Sequence, residues 1–109
     1  MSDLKWYEFS QSTSYGVFVR PAIRVYVQAQ AANVADAIAQ NHGVYFDPDC
    51  IRDCRCCGSR WSEASDYRAT TARPEPEYER GVPYLYKVQG VPLAMWIAAD
   101  GTVTTEGGE

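Results

Sequence analysis

The sequence is short of several things. It has one histidine, no cysteine outside a single cluster, and no long hydrophobic run. No stretch approaches the roughly 18 apolar residues of a membrane-spanning helix, so no such helix is expected within it. It carries no Gly-rich phosphate loop and no Gly-x-Ser-x-Gly turn, which sets aside two common catalytic frameworks. Hydrolysis that depends on imidazole would have to use His42 alone. Positive charge is also scarce: 10 Lys and Arg face 14 Asp and Glu, for a net charge of −4. Nucleic-acid affinity comes mainly from neutralising phosphates, so this balance disfavours a general nucleic-acid binder. The opening residues Met1 to Trp6 lack the basic-then-apolar order of a signal peptide. The expected location is therefore cytoplasmic and reducing, where clustered thiols bind metal more often than they form disulfides.

What is present is concentrated. All four cysteines, Cys50, Cys54, Cys56 and Cys57, fall within eight residues. Cys54-Arg-Cys-Cys57-Gly58 contains the Cys-x-x-Cys-Gly spacing of a zinc knuckle, in which backbone amides turn toward the thiolate sulfurs. Zinc takes four ligands in a tetrahedron. The candidate set is Cys50, Cys54, Cys56 and Cys57, with His42 as a substitute for Cys56, whose direct neighbour Cys57 strains shared coordination. A knuckle usually pairs with a second one, and no second cysteine pair exists. Reduced free thiols and a local disulfide such as Cys50–Cys56 remain alternatives. For His42, capping of helix carbonyls is a plainer role than ligation.

Arg52, Arg55 and Arg60 interleave with the cysteines, and Trp61 follows Cys57 by four residues. The arginines either balance a dianionic thiolate site or grip a phosphate or an acidic surface. Trp61 could roof the metal or join the arginines in contacting a partner. No catalytic constellation accompanies them. A zinc deaminase would need His-x-Glu beside its Cys-x-x-Cys, and a thioredoxin-like pair should open a helix after a strand. Asp47, Asp49 and Asp53 read as turn formers. The expectation is a non-enzymatic protein.

Along the chain, Lys5–Phe9 reads as an aromatic strand, and Val17–Val19 as a short resumption before Pro21. Ile23–Ala29 is the clearest strand: Ile23, Val25, Val27 and Ala29 alternate with Arg24, Tyr26 and Gln28, which predicts one buried face and one at least partly wet. A helix should follow, with Asn33 as N-cap and Val34, Ala37, Ile38 and Asn41 on one face. Gly43 suits a left-handed C-terminal cap, with Val44 folding back onto Ile38 or Ala39. Residues 62–80, centred on Pro74-Glu75-Pro76-Glu77, read as a surface loop. Tyr84–Val88, Leu93–Ala98 and Thr102–Thr105 read as strands, the last two joined at Asp100-Gly101 by a hairpin. Residues 106–109 should fray. Together these predict one α+β domain over 1–109: a small antiparallel sheet, one packed helix and a cysteine-rich, zinc-knuckle-like loop.

The stretch from Ile23 to Trp61 carries a further pattern. A strand leads into the alanine-rich helix, then Gly43-Val-Tyr-Phe-Asp47, then Asp53-Cys-Arg-Cys-Cys-Gly-Ser-Arg-Trp61. It resembles small uncharacterised proteins encoded by tailed phages of actinobacteria, in which Tyr-Phe-Asp precedes Asp-Cys-x-Cys-Cys-Gly-x-Arg-Trp. Pro48 stands where those proteins commonly have glycine. The resemblance implies a phage origin and the host cytoplasm, and it supplies no activity.

These readings converge on a binding module that engages a host protein, in host takeover or against a defence system, with structural zinc. Tyr7, Tyr26, Tyr84, Tyr86 and Trp96 are candidate anchors, about half of which should be ordinary core. The alternatives are a nucleic-acid module built on Arg52, Arg55, Arg60 and Trp61, and a minor virion component. A membrane partner is not expected. Oligomeric state is open, since an edge strand at Thr102–Thr105 permits sheet extension.

Overall fold

The structure, a computed structural model, describes residues 4–11, 22–46, 61, 64, 69–75 and 90–106. Its elements are β1 (Lys5–Ser10), β2 (Arg24–Ala29), α1 (Ala32–Asn41), β3 (Ala94–Ile97) and β4 (Val103–Glu106). The four strands form one sheet in the order β1-β2-β3-β4. Val17–Val19 and Tyr84–Val88 lie outside the described residues.

The α+β class holds, but the sheet is mixed rather than antiparallel. β1 pairs antiparallel with β2, with Tyr7 opposite Val27 and Phe9 opposite Val25. β3 pairs antiparallel with β4. The central pair, β2 and β3, is parallel, with Tyr26 opposite Trp96. A parallel neighbour requires a crossover, and α1 lies in the chain that provides it. Only tight hairpins dictate antiparallel pairing, and no such turn joins β2 to β3.

The β3–β4 hairpin does form at Asp100-Gly101. The Gly101 amide closes a turn onto the Ala98 carbonyl at 2.9 Å, and Ala98 in turn bonds the Thr102 carbonyl at 2.8 Å. Gly101 sits at φ 94°, which a side chain would resist. Asp100 accepts the Thr102 amide at 2.9 Å, and this bond holds its carboxyl below the usual range. β4 takes in Glu106, whose carbonyl accepts the Leu93 amide at 2.8 Å, so the ordered strand reaches into the segment expected to fray.

The helix begins at Ala32 with Ala31 as N-cap, not at Asn33, which is exposed inside the first turn. No side chain caps it; the Ala31 carbonyl accepts from Ala35 at 3.0 Å. Its buried residues are Ala35 and Ala39, with Ala32 and Ile38 packed against the core, while Val34, Ala37 and Asn41 are exposed. Alanines let the helix axis approach the sheet closely, and that selects this stripe over the one containing the larger Val34. At the other end, Gly43 at φ 106° donates to Gln40 at 3.3 Å and Val44 donates to Ala39 at 3.1 Å. This is the Schellman pattern, and Val44 is buried beside Ala39 as expected.

The principal core lies between α1 and one sheet face: Tyr7, Phe9, Val25, Val27 and Ile97, roofed by Ala35, Ala39 and Val44. The opposite face is also buried in its centre. Trp6, Tyr26, Ala94 and Trp96 form a second cluster there, with Tyr26 only 1% exposed. Arg24 and Gln28 on that face stay half-buried. No helix among the described residues is long and apolar enough to cross a membrane.

Candidate functional site

Two regions have site character: the flanks of the cysteine segment, and the aromatic sheet face.

The segment 47–60, with Cys50, Cys54, Cys56, Cys57, Arg52, Arg55 and Arg60, lies outside the described residues. Its flanks are well placed. On the entering side, the Schellman turn directs Val44 inward, and the Phe46 ring packs 6.1 Å from that of Phe9. On the returning side, Trp61 pairs with Gln11, two residues beyond Phe9, and is 1% exposed. Gln11 is held by its own side-chain amide, which donates to the Ala22 carbonyl at 2.8 Å. Three residues after Trp61, the Ala64 amide donates to the Asp36 carboxylate at 2.9 Å. Both flanks are therefore fixed at one end of β1.

His42 is the helix C-cap and is exposed; its backbone amide donates to Ala39 at 3.0 Å. Trp61 belongs to the principal core, so its ring is withdrawn from the surface where a partner-binding role would need it. Tyr7, Tyr26 and Trp96 are buried as well, and Tyr84 and Tyr86 lie outside the described residues.

On the second face, Tyr26 stacks on Trp96 with centroids 5.8 Å apart and planes 18° off parallel. Residues 69–75 lie against these rings. Thr70 exchanges two backbone bonds with Trp6, at 2.6 and 3.1 Å. The Trp96 indole donates to the Pro74 carbonyl at 3.1 Å, and the Arg73 guanidinium sits 4.2 Å above the Trp96 ring. Beside the stack, Arg24 pairs with Glu8 at 3.6 Å. Burial, then the Glu8 charge, push the Tyr26 phenol up to about 12 against the pull of Arg24. Sequence reasoning gave Arg73 and Pro74 no role. The available signal was the alternation Arg73-Pro-Glu-Pro76, which is extended by construction because prolines restrict both themselves and the residues before them.

A family profile described as a domain of unknown function, DUF7296, matches residues 4–109. The chain belongs to this family. No curated protein and no solved structure matches it. The DUF7296 match includes every strand, the helix, the cysteine segment and residues 69–75, so both candidate regions lie within the family domain.

Proposed function

We propose that this chain is a small non-enzymatic binding module of phage origin, acting in the bacterial host cytoplasm and engaging a host protein. Its cysteine segment holds a structural zinc through Cys50, Cys54, Cys56 and Cys57. The observation that carries this reading is the anchoring of both flanks, Phe46 on Phe9 and Trp61 on Gln11, at the same end of β1. Closing a loop of 14 residues, 47–60, costs on the order of 2 kcal/mol in chain entropy. The packed flanks already meet that cost, so metal affinity is not spent on closure. A 109-residue chain also gains more from a metal staple than a larger domain would.

The protein-binding part of the reading rests on composition. Aromatics are 13% of the chain and the net charge is acidic, which favours a protein partner over nucleic acid. A nucleic-acid role for Arg52, Arg55 and Arg60 would have to do without Trp61 as a stacking platform, since that ring is in the core.

The test is affinity capture of the tagged full chain from an actinobacterial host, with elemental analysis of the purified protein. The reading expects one host protein enriched over a control bait, and close to one zinc per chain. Recovery of nothing specific overturns the binding role. Detection of the chain in purified particles favours the virion alternative.

A further inference from the structure

We infer that the Trp6–Tyr26–Trp96 face is a docking surface for a peptide carrying an Arg–Pro step, and that the chain's own residues 70–75 occupy it as an internal ligand.

Three strands each contribute one aromatic ring to this face, and the described residues bonded over it, 70, 73 and 74, belong to no helix or strand. The covering segment begins beside β1, where Thr70 pairs with the Trp6 backbone as an added strand residue would. It then reaches the Trp96 ring on β3 by Pro74. Between those positions the chain bends at Thr71 and Ala72, and the Thr70 hydroxyl donates to the Ala72 carbonyl at 2.8 Å.

Two recognition modes meet here. Backbone pairing at a sheet edge holds one end of the segment. At the other, the Trp96 indole N–H donates to the Pro74 carbonyl, and aromatic-lined surfaces are what proline-rich ligands dock on. Arg73 adds a guanidinium over the Trp96 ring. Glu106 lies on this same face, opposite Ala94 in the strand register, so a cation suits that rim. Pro74 and the following Pro76 restrict the segment before it docks, which lowers the ordering cost.

Thr70, Ala72, Arg73 and Glu75 are exposed, and among the described residues two backbone bonds, one indole bond and one ring–cation contact join the segment to this face. Its advantage over an outside peptide is tethering, equivalent to an effective concentration of about millimolar. A partner segment with the same Arg–Pro chemistry competes once it exceeds that.

The inference deepens the binding-module reading by naming a surface and a ligand class, and it rests on that reading only for a biological partner. It is tested on the full chain with a synthetic peptide of residues 70–77, Thr-Thr-Ala-Arg-Pro-Glu-Pro-Glu. Binding is followed by nitrogen-15 NMR on the backbone amides of Trp6 and residue 96, which every variant retains. Arg73→Ala with Pro74→Ala should bind the peptide roughly ten-fold tighter than the unmodified chain, because self-occupancy no longer competes. Adding Trp96→Phe should abolish the gain, and a peptide with alanine in place of its arginine should bind less well. Should the double variant not fold, Arg73→Ala alone gives a smaller gain of the same sign. A folded variant with no saturable shift overturns the inference, as does equal binding after Trp96→Phe. Either failure leaves the capture experiment from host extract standing, because that experiment does not depend on this face.

Discussion

The Asp36 carboxylate, on α1, accepts the backbone amide of Ala64 at 2.9 Å and so ties the helix to the chain that returns from the cysteine segment. Asp36→Ala removes the acceptor and leaves a partly buried amide unmatched. The loss should be about 1–2 kcal/mol, the range for bonds to charged groups and stranded donors. Asp36→Asn keeps a carbonyl acceptor in place and should cost less than half as much. Urea denaturation of both variants at pH 7 measures this; equal midpoints for Asp36→Ala and wild type would show that the bond does not contribute.

Gly43 ends the helix at φ 106°, where a Cβ crowds the backbone. Gly43→Ala should destabilise the chain by about 1–2 kcal/mol, and Gly43→Asn by less, because asparagine tolerates left-handed backbone better. The position also aims Val44 into the core, so the alanine variant should lose helix signal and protection of the Val44 amide together. Hydrogen exchange at Val44 separates this local unwinding from a uniform loss of stability.

Gly43, the Asp100-Gly101 hairpin and the alternation through Val25, Val27 and Ala29 were readable in the sequence because each depends on neighbours within a few residues. The parallel pairing of Tyr26 with Trp96 was not, since it is set by a crossover across 70 positions of chain. Nor was the buried face of α1. Alanines at 31, 32, 35, 37 and 39 fit more than one stripe, and tertiary packing chose among them. Tyr26 sits between Arg24 and Gln28 and so predicts a wet face; its burial comes with Trp6 and Trp96, distant in sequence. At the candidate site, the cysteines announced themselves by spacing. Trp61 is core, so a partner-contact role lacks the exposure it needs, and its pairing with Gln11 leaves no periodic trace in the sequence.

The small residues under α1 set the helix-to-sheet distance. Ala35 has no exposed surface and lies against the principal core. Ala35→Leu should overpack the interface and cost about 1–3 kcal/mol, while Ala37→Leu, on the exposed side, should change stability by less than about 0.5 kcal/mol. Thermal melts of the two variants check this. Similar behaviour at both positions would mean that the buried stripe is assigned to the wrong side of the helix.

Tyr26 makes alkaline stability a probe of the second sheet face. Its phenol ionises near 10.0 when free and is pushed up to about 12 in the folded chain, chiefly by burial and then by Glu8. Below pH 10 both states keep the proton and the group contributes no pH dependence. Between about pH 10 and 12 the unfolded chain releases a proton that the folded chain retains, so stability falls as pH rises, by on the order of 1 kcal/mol after solvent screening. Tyr26→Phe should flatten that part of the stability curve relative to wild type. Absorbance at about 295 nm, which follows tyrosinate, should show one fewer late-titrating phenol in the variant. Identical stability curves from pH 9 to 12 would mean that Tyr26 ionises as it does in water.

Removal of metal tests the cysteine segment against the frame that holds it. If zinc staples residues 50–57, chelation should lower the melting temperature and free four thiols to a labelling reagent, while the α1–sheet core, in which Tyr7, Phe9, Val25 and Val27 pack with Ala35 and Ala39, stays folded. Thiolate ligands must lose protons to bind, so zinc should also leave as pH falls. Cys54→Ser and Cys57→Ser should each abolish stoichiometric zinc. Cys56→Ser and His42→Ala separate the two choices of fourth ligand. His42 is the exposed C-cap and engages Ala39 through its backbone amide, which alanine preserves. His42→Ala should therefore retain full zinc, and Cys56→Ser should lose it. A chelated chain that melts where the untreated one does, with the same number of reactive thiols, would remove the metal from the account.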